Sequence, residues 1–328
     1  MTEKTNENVQ GEIVMEYNLA VVDMRAGDEA EGFYVLSRGE VKKSRDGKAY
    51  LNAALSDCTG TIPAKMWDFS GTVTELVGKV VKVRGSVTEF NGTNQFTIRL
   101  FRPAGEQDKY DLADLVPSAP IDTAAAMEEV RSCVASIEDG DYRAVCEKML
   151  EKHGASFEKI PAAKSVHHAF LSGLLMHTSG MLRIADFLAD LYGDVVDRSL
   201  LLAGTLLHDM MKEEEFMFSE LGLASDYSVK GDLLGHLVMA AQETAAVAAE
   251  LGIPEEKSVL LQHMLLSHHG SRELGAAVLP CCAESELLSM IDRMDAHMEV
   301  YREAMETTPV GEFSEKIFAL EKRIYHHG

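Results

Sequence analysis

Nowhere in this 328-residue sequence is there an apolar run of the roughly 18–20 residues needed to cross a bilayer. The first residues, MTEKTNENVQGE, are polar and acidic and lack an apolar h-region, so they do not read as a signal peptide. Cysteine is scarce and odd in number: Cys58, Cys133, Cys146, Cys281 and Cys282 contain no CxxC pair. That argues against a disulfide framework and a zinc ribbon, and for reduced thiols in a cytoplasmic protein. The vicinal Cys281-Cys282 reads as a buried pair of thiols. Tryptophan occurs once, at Trp67. Positive charge is short as well, with 31 Lys and Arg against 53 Asp and Glu for a net −22. A broad basic surface for duplex DNA is therefore excluded.

What is present is divided unevenly. Residues 12–105 balance 12 Lys and Arg against 12 Asp and Glu, whereas residues 106–328 hold 18 against 39. All 12 histidines lie at or beyond His153. Hydrophobic content of 46% and charged content of 26% are those of a globular protein long enough for two domains.

The periodicity divides at the same place. Residues 12–105 read as five short strands: Phe33 to Leu36, Tyr50 to Leu55, Thr61 to Trp67, Lys79 to Val87 and Gln95 to Phe101. Turns are expected at Asp46-Gly47, Asp57 to Gly60 and Asn91-Gly92. Five strands so spaced predict a small closed β-barrel, with the OB-fold as its usual example. Residues 106–121 belong to a proline-rich polar stretch and read as a linker. From residue 122 to 328 apolar residues recur at three- and four-residue spacing, which predicts an all-helical domain.

Polar residues with ligating side chains interrupt the helical stripes. They are His177 after Leu174-Leu175-Met176, His208-Asp209 after Leu206-Leu207, His236 after Leu234-Gly235, His268-His269 after Leu266-Ser267, and Asp292 after Met290-Ile291. Buried imidazoles and carboxylates are costly unless paired or bound to a cation, and bundles build metal sites from facing helices. A His/Asp set without Cys suits Mn²⁺, Fe²⁺, Zn²⁺, Ni²⁺ or Co²⁺ better than a structural zinc. His153, His263, His297, His326 and His327 read as hydrogen-bonded structural histidines rather than ligands. Lys212, one turn after Asp209, is placed either to hold a phosphate or to pair with that carboxylate.

His177, His208-Asp209 and Asp292 resemble the H…HD…D signature of the HD-domain phosphohydrolase superfamily. The likeness extends through residues 166–170, 227–236 and 266–270. With an OB-like barrel in front, the chain is similar over residues 12–305 to the YhaM-type 3′→5′ exoribonucleases. The resemblance implies that His177, His208, Asp209 and Asp292 hold one divalent ion, Mn²⁺ foremost. Asp209 would bridge to a second ion held by His236 and His268, with His269 as a further ligand and Asp209 and Lys212 as catalytic groups. Asp295 would stand behind the ligands. Two departures bear on substrate fit: Met211-Lys212 where the family has Gly-Lys, and Arg272 to Gly275 where it has Gly-Glu-Trp-Gly.

On the barrel, Ile62, Ala64 and Met66 share one face, leaving Lys65 and Trp67 on the other. Ile98 and Leu100 read as core, and Arg99 and Phe101 as outward. Cations beside aromatics suit single-stranded RNA or DNA; packing of Trp67 and Phe101 against the helical domain is the alternative. The expected activity is metal-dependent 3′→5′ hydrolysis of single strands to nucleoside 5′-monophosphates. Hydrolysis of small nucleotides or cyclic dinucleotides with a regulatory barrel is the alternative enzyme, and a nucleic-acid-binding protein with a structural metal is the third reading. No membrane partner is expected, and a homo-oligomer is allowed.

Overall fold

A computed structural model describes residues 15–44, 46–90, 92–163, 170–219 and 221–328. It divides into two compact units between Pro117 and Ser118. The first unit contains β1 (Met15–Tyr17), β2 (Glu29–Lys43), β3 (Ala49–Asp57), β4 (Gly60–Trp67), β5 (Val80–Phe90) and β6 (Thr93–Pro103). β2 pairs antiparallel with β3, β3 with β4, and β5 with β6; β4 meets β6 in parallel, and β2 also pairs with β5. The circuit β2-β3-β4-β6-β5-β2 is thus a closed five-stranded barrel of the OB type, with β1 added in parallel at the start of β2. Alternation fills it, as Leu51, Ala53 and Leu55 of β3 and Ile62 and Ala64 of β4 point inward. Phe90 faces Thr93 across a two-residue connection containing Gly92 at φ 78°; Asn91 lies outside the described residues.

The fifth barrel strand departs from simple alternation. Arg84 pairs with Leu100 but Gly85 pairs with Ile98, so Arg99 is an extra residue in a β-bulge. A Cβ at Gly85 would fall 2.1 Å from the Thr97 carbonyl oxygen, so only glycine allows this approach. Beyond the bulge the faces exchange. Leu100 is 60% exposed, while Phe101 packs against the barrel core, edge-on to Phe69 at 6.0 Å. The expectation of Leu100 inside and Phe101 outside is corrected by that one inserted residue.

The stretch expected as a linker is partly folded onto the barrel. Arg102 forms a two-pronged pair with Asp108 at 2.6 and 2.7 Å, and Tyr110 lies 5.1 Å from Phe33. Asp111 caps the short α1 (Leu112–Leu115), and Leu115 and Val116 are buried.

The second unit contains α2 (Thr123–Ala135), α3 (Gly140–Phe157), α4 (Gly173–Leu191), α5 (Arg198–Leu207) and α6 (Lys212–Glu215). A ribbon of β7 (Phe216–Phe218) and β8 (Ala224–Tyr227) follows, then α7 (Val229–Leu251), α8 (Glu255–Ser267) and α9 (Ala283–Thr307). The unit is therefore helical but carries a two-stranded insert, in which the rings of Phe216 and Tyr227 pair at 5.3 Å. Asp122, Asp139, Asp197 and Ser228 accept hydrogen bonds from backbone N–H groups of the first turns of α2, α3, α5 and α7. α5 is the central element: Ser199 through Leu207 are all buried, and α3, α4, α8 and α9 pack around it. A helix apolar on every side belongs in the middle of a bundle. Cys281 is exposed and Cys282 half-buried, so the expected buried thiol pair is not formed; both lie on the loop entering α9. No helix among the described residues is long and apolar enough to cross a membrane.

Candidate metal centre and nucleic-acid face

The helical unit brings its ligating residues together from helix ends and helix interiors: His177 lies within α4, His236 within α7 and Asp292 within α9. His208 follows the last turn of α5 and His268 the last turn of α8. There the final carbonyls lack intrahelical donors. His208 Nδ1–H donates to the Thr205 carbonyl and His268 Nδ1–H to that of Leu265, each at 2.8 Å. His177 on α4 donates from Nδ1 to Asp295 at 2.7 Å. His236 donates from Nδ1 to Glu215 at 2.9 Å. All four acceptors require the hydrogen on Nδ1, which directs four Nε2 lone pairs inward.

α7 turns sharply at Gly235, where φ is 71° and ψ 159°. A side chain at that position would be strained. The bend lets Glu215 accept from the His236 backbone N–H at 3.1 Å as well as from its ring. The acidic run 213–215 carried no sign in sequence that its last member orients an imidazole.

Two clusters result. His177 Nε2 lies 3.3 Å from both His208 Nε2 and Asp292 Oδ1, and His208 Nε2 lies 3.3 Å from Asp209 Oδ2. On the other side, Asp209 Oδ1 lies 3.1 Å from His236 Nε2 and 3.6 Å from His268 Nε2. His236, His268 and His269 form one group whose ligand atoms lie within 4.8 Å of one another; His177, His208 and Asp292 form another. Asp209 reaches both, one oxygen to each. Behind the first group stands Asp295, in the outer position expected of it.

These residues fit divalent ions by two observations. Asp209 Oδ1, His236 Nε2, His268 Nε2 and His269 Nδ1 are buried without an aligned hydrogen-bond partner, a costly state for polar atoms unless a cation completes it. Ligands bound at about 2.0–2.2 Å stand about 3–3.5 Å apart, the spacing found here. Charge agrees: burial, helped by the neighbouring imidazoles, lowers His269 to about 4, so it is neutral and able to ligate. Burial disfavours a charge on His177, but Asp292 and Asp295 outweigh it and raise the imidazole to about 9. A bound cation would take the place of that proton.

Lys212 Nζ lies 2.6 Å from Asp209 Oδ2, which forms the ion pair, one of its two expected roles. A cavity of about 330 Å³ opens on the centre, walled by Leu274 and by Ser289, Arg293, His297 and Val300 of α9. His297, expected as a buried structural histidine, is exposed and lines this cavity. His153 pairs with Glu213, and His263 accepts from the Cys281 backbone N–H at 3.0 Å, both structural roles.

The barrel sorts its four expected contact residues into two pairs. Lys65 and Trp67 share a face with Tyr50 and Phe90. Tyr50 is the register partner of Trp67, their rings 5.1 Å apart, and Lys65 lies 5.9 Å from the Trp67 ring and 5.1 Å from that of Phe90. Trp67 is 53% and Phe90 59% exposed. Tyr50 was legible in the sequence, since Leu51, Ala53 and Leu55 inward put it outward; Phe90 was marked only by its place beside a turn. Arg99 and Phe101 do not join this group: Arg99 pairs with Glu29, and Phe101 is turned inward by the bulge.

Paired histidine clusters joined by an aspartate, held on packed helices, define a class, and the HD domain family matches residues 174–297. The second unit is an HD domain. Over 302 residues the chain is 35% identical to the 3′-5′ exoribonuclease YhaM of Bacillus velezensis and to that of Bacillus subtilis, covering 92% of this chain and 95% of each relative. The namesake protein of Listeria innocua is 33% identical over 309 residues, 94% of this chain and 97% of its own. The chain belongs to the YhaM family of 3′-5′ exoribonucleases. Among solved structures, the second OB-fold domain of replication protein A from Methanococcus maripaludis covers 29% of this chain and all of its own, at 13% identity and a TM-score of 0.22. The barrel assignment stands instead on the strand circuit.

Proposed function

We propose that this protein is a divalent-metal-dependent exoribonuclease that shortens single-stranded RNA, and also single-stranded DNA, from the 3′ end. The observation that carries the reading is the pair of ligand clusters sharing Asp209, in a chain of this family. Mn²⁺ is the first candidate ion, with Fe²⁺, Zn²⁺, Ni²⁺ and Co²⁺ as alternatives for a nitrogen and oxygen set. His177, His208 and Asp292 would hold one ion, His236, His268 and His269 the other, and Asp209 would join them. Two ions so held would supply an acidified water and charge neutralisation at the phosphate.

The chain's own groups do the positioning. Lys212 orients Asp209, Asp295 orients His177, and Glu215 orients His236. Tyr50, Trp67 and Phe90 offer ring faces on which bases stack, and Lys65 meets the backbone. Hydrolysis of the terminal linkage breaks the bond from phosphorus to the 3′ oxygen and leaves the phosphate on the released 5′-mononucleotide.

The test is a Mn²⁺ time course on 5′-labelled single-stranded RNA and DNA, with a His208→Ala/Asp209→Ala double variant alongside. A ladder shrinking from the 3′ end, releasing mononucleotides and absent in the variant, is expected. Intact strands with fully metal-loaded protein would overturn the reading, and turnover of mononucleotides alone would assign the site to small substrates.

A further inference from the structure

We propose that Arg293, assisted by His297 one turn further along α9, grips the non-bridging oxygens of the phosphate under attack. Arg293 then touches substrate and is part of the catalytic site. The inference rests on the phosphodiesterase reading above and adds to it the group that receives the anion.

Among the described residues, two permanent cations, Lys212 and Arg293, line the cavity beside the metal centre. They are not equivalent. Lys212 is committed to Asp209 at 2.6 Å, and its charge is consumed in holding that carboxylate. Arg293 makes no hydrogen bond or ion pair with any described residue, although Asp292 precedes it in the chain. Asp292 is turned to His177 at 3.3 Å. Successive helical residues point about 100° apart, so Arg293 leaves the ligand line and reaches the cavity wall.

Ser289, Arg293 and His297 stand at four-residue intervals and therefore on one face of α9, and all three line the cavity. His297 also has no partner among the described residues, and lies about 6 Å beyond Arg293 along the axis. Ser289 donates to the Glu286 carbonyl, which leaves Arg293 and His297 as the donors on this wall of a cavity of about 330 Å³ whose apolar lining includes Leu274, Ala296 and Val300.

A guanidinium presents parallel N–H donors that match two oxygens of one phosphate, which the point charge of a lysine does not. Charge grows on those oxygens as phosphorus gains its fifth oxygen neighbour, and a charged donor facing them stabilises it; Arg293 is exposed on the cavity side of α9 and free to reach them. A helix arginine with no such role would merely be solvated, and its removal would change nothing.

The experiment compares wild type, Arg293→Ala, Arg293→Lys and His297→Ala, all full-length and Mn²⁺-loaded. It measures kcat/KM on labelled single-stranded RNA, metal content, thermal midpoint, and calorimetric affinity for adenosine 5′-monophosphate and for adenosine. Arg293→Ala should lose about 100-fold or more in kcat/KM, the effect of removing one donor to a developing oxyanion. Its affinity for the monophosphate should fall about tenfold, as expected for a lost charge-assisted bond, with adenosine affinity unchanged. Arg293→Lys should recover part of both losses, and His297→Ala should show a smaller loss of the same kind. Metal content and thermal midpoint should match wild type.

Wild-type kinetics and monophosphate affinity in Arg293→Ala would overturn the proposal. So would loss of bound metal, since that would make Arg293 a support of the ligands. A wild-type protein that leaves RNA intact would fail the exonuclease reading, and the monophosphate affinities would still decide whether Arg293 receives a phosphate.

Discussion

Each of the four inward-pointing imidazoles has its Nδ1 hydrogen taken by a different acceptor: Thr205 O, Leu265 O, Asp295 and Glu215. Two are backbone carbonyls, which no substitution removes, and two are carboxylates, which can be tested. Losing an outer partner of a metal-ligating histidine typically lowers metal affinity about 10–100-fold. Glu215→Ala should weaken the site formed by His236, His268 and His269 by that amount. Asp295→Ala should weaken the site formed by His177, His208 and Asp292. Glu215→Gln should recover part of the loss, because its amide oxygen still accepts from His236. Metal titration of the metal-free protein reads this without any turnover. Equal affinities in Glu215→Ala and wild type would show that the ring is held by packing alone.

At the scale of elements, two local irregularities decide where side chains go. One is the bend at Gly235, which aims His236; the other is the bulge at Arg99, which exchanges the faces of β6. The bulge makes a prediction opposite to that of plain alternation. Phe101→Ala should destabilise the barrel by about 1–3 kcal/mol, less than a fully buried phenylalanine because Phe101 is only partly covered. Leu100→Ala should cost less than about 0.5 kcal/mol, as an exposed position does. Trp67, the chain's only tryptophan, lies in the barrel, so its fluorescence during denaturation reports that unit. The reverse order of effects would mean that β6 runs without the bulge.

Across the whole molecule, charge and chemistry are divided between the units. Residues 106–328 carry nearly all the net negative charge and every histidine, while residues 12–105 are balanced. In the proposed reading a balanced barrel would not hold RNA chiefly by counterion release, and stacking would contribute much of the affinity. Trp67→Ala and Tyr50→Ala should each weaken single-stranded RNA binding by about 1–3 kcal/mol, the range for one lost base–aromatic stack. Phe101→Ala should leave affinity nearly unchanged when the barrel remains folded. Fluorescence anisotropy of labelled RNA at two salt concentrations measures both the loss and the salt slope. A steep slope, or affinity indifferent to Trp67, would remove the barrel face from the reading.

The closed barrel, the helical unit and the seven candidate ligands from His177 to Asp292 were legible in the sequence because each is encoded locally. Strand alternation, helical spacing and a polar residue ending an apolar stripe depend only on neighbours along the chain. The face shared by Lys65 and Trp67, opposite Ile62 and Ala64, was legible for the same reason. The inward turn of Phe101, the ion pair of Arg99 with Glu29, and the bend before His236 were not legible, because register shifts and kinks are settled by contacts between distant strands and helices. Nor could spacing show that Glu215 stands behind His236 or that Arg293 is left without a partner among the described residues. Residue types and periods therefore determined which elements form and which side chains carry the chemistry. Only the packing of α5 among its neighbours decided which oxygen of Asp209 meets which imidazole, since that depends on distances between residues far apart in the chain.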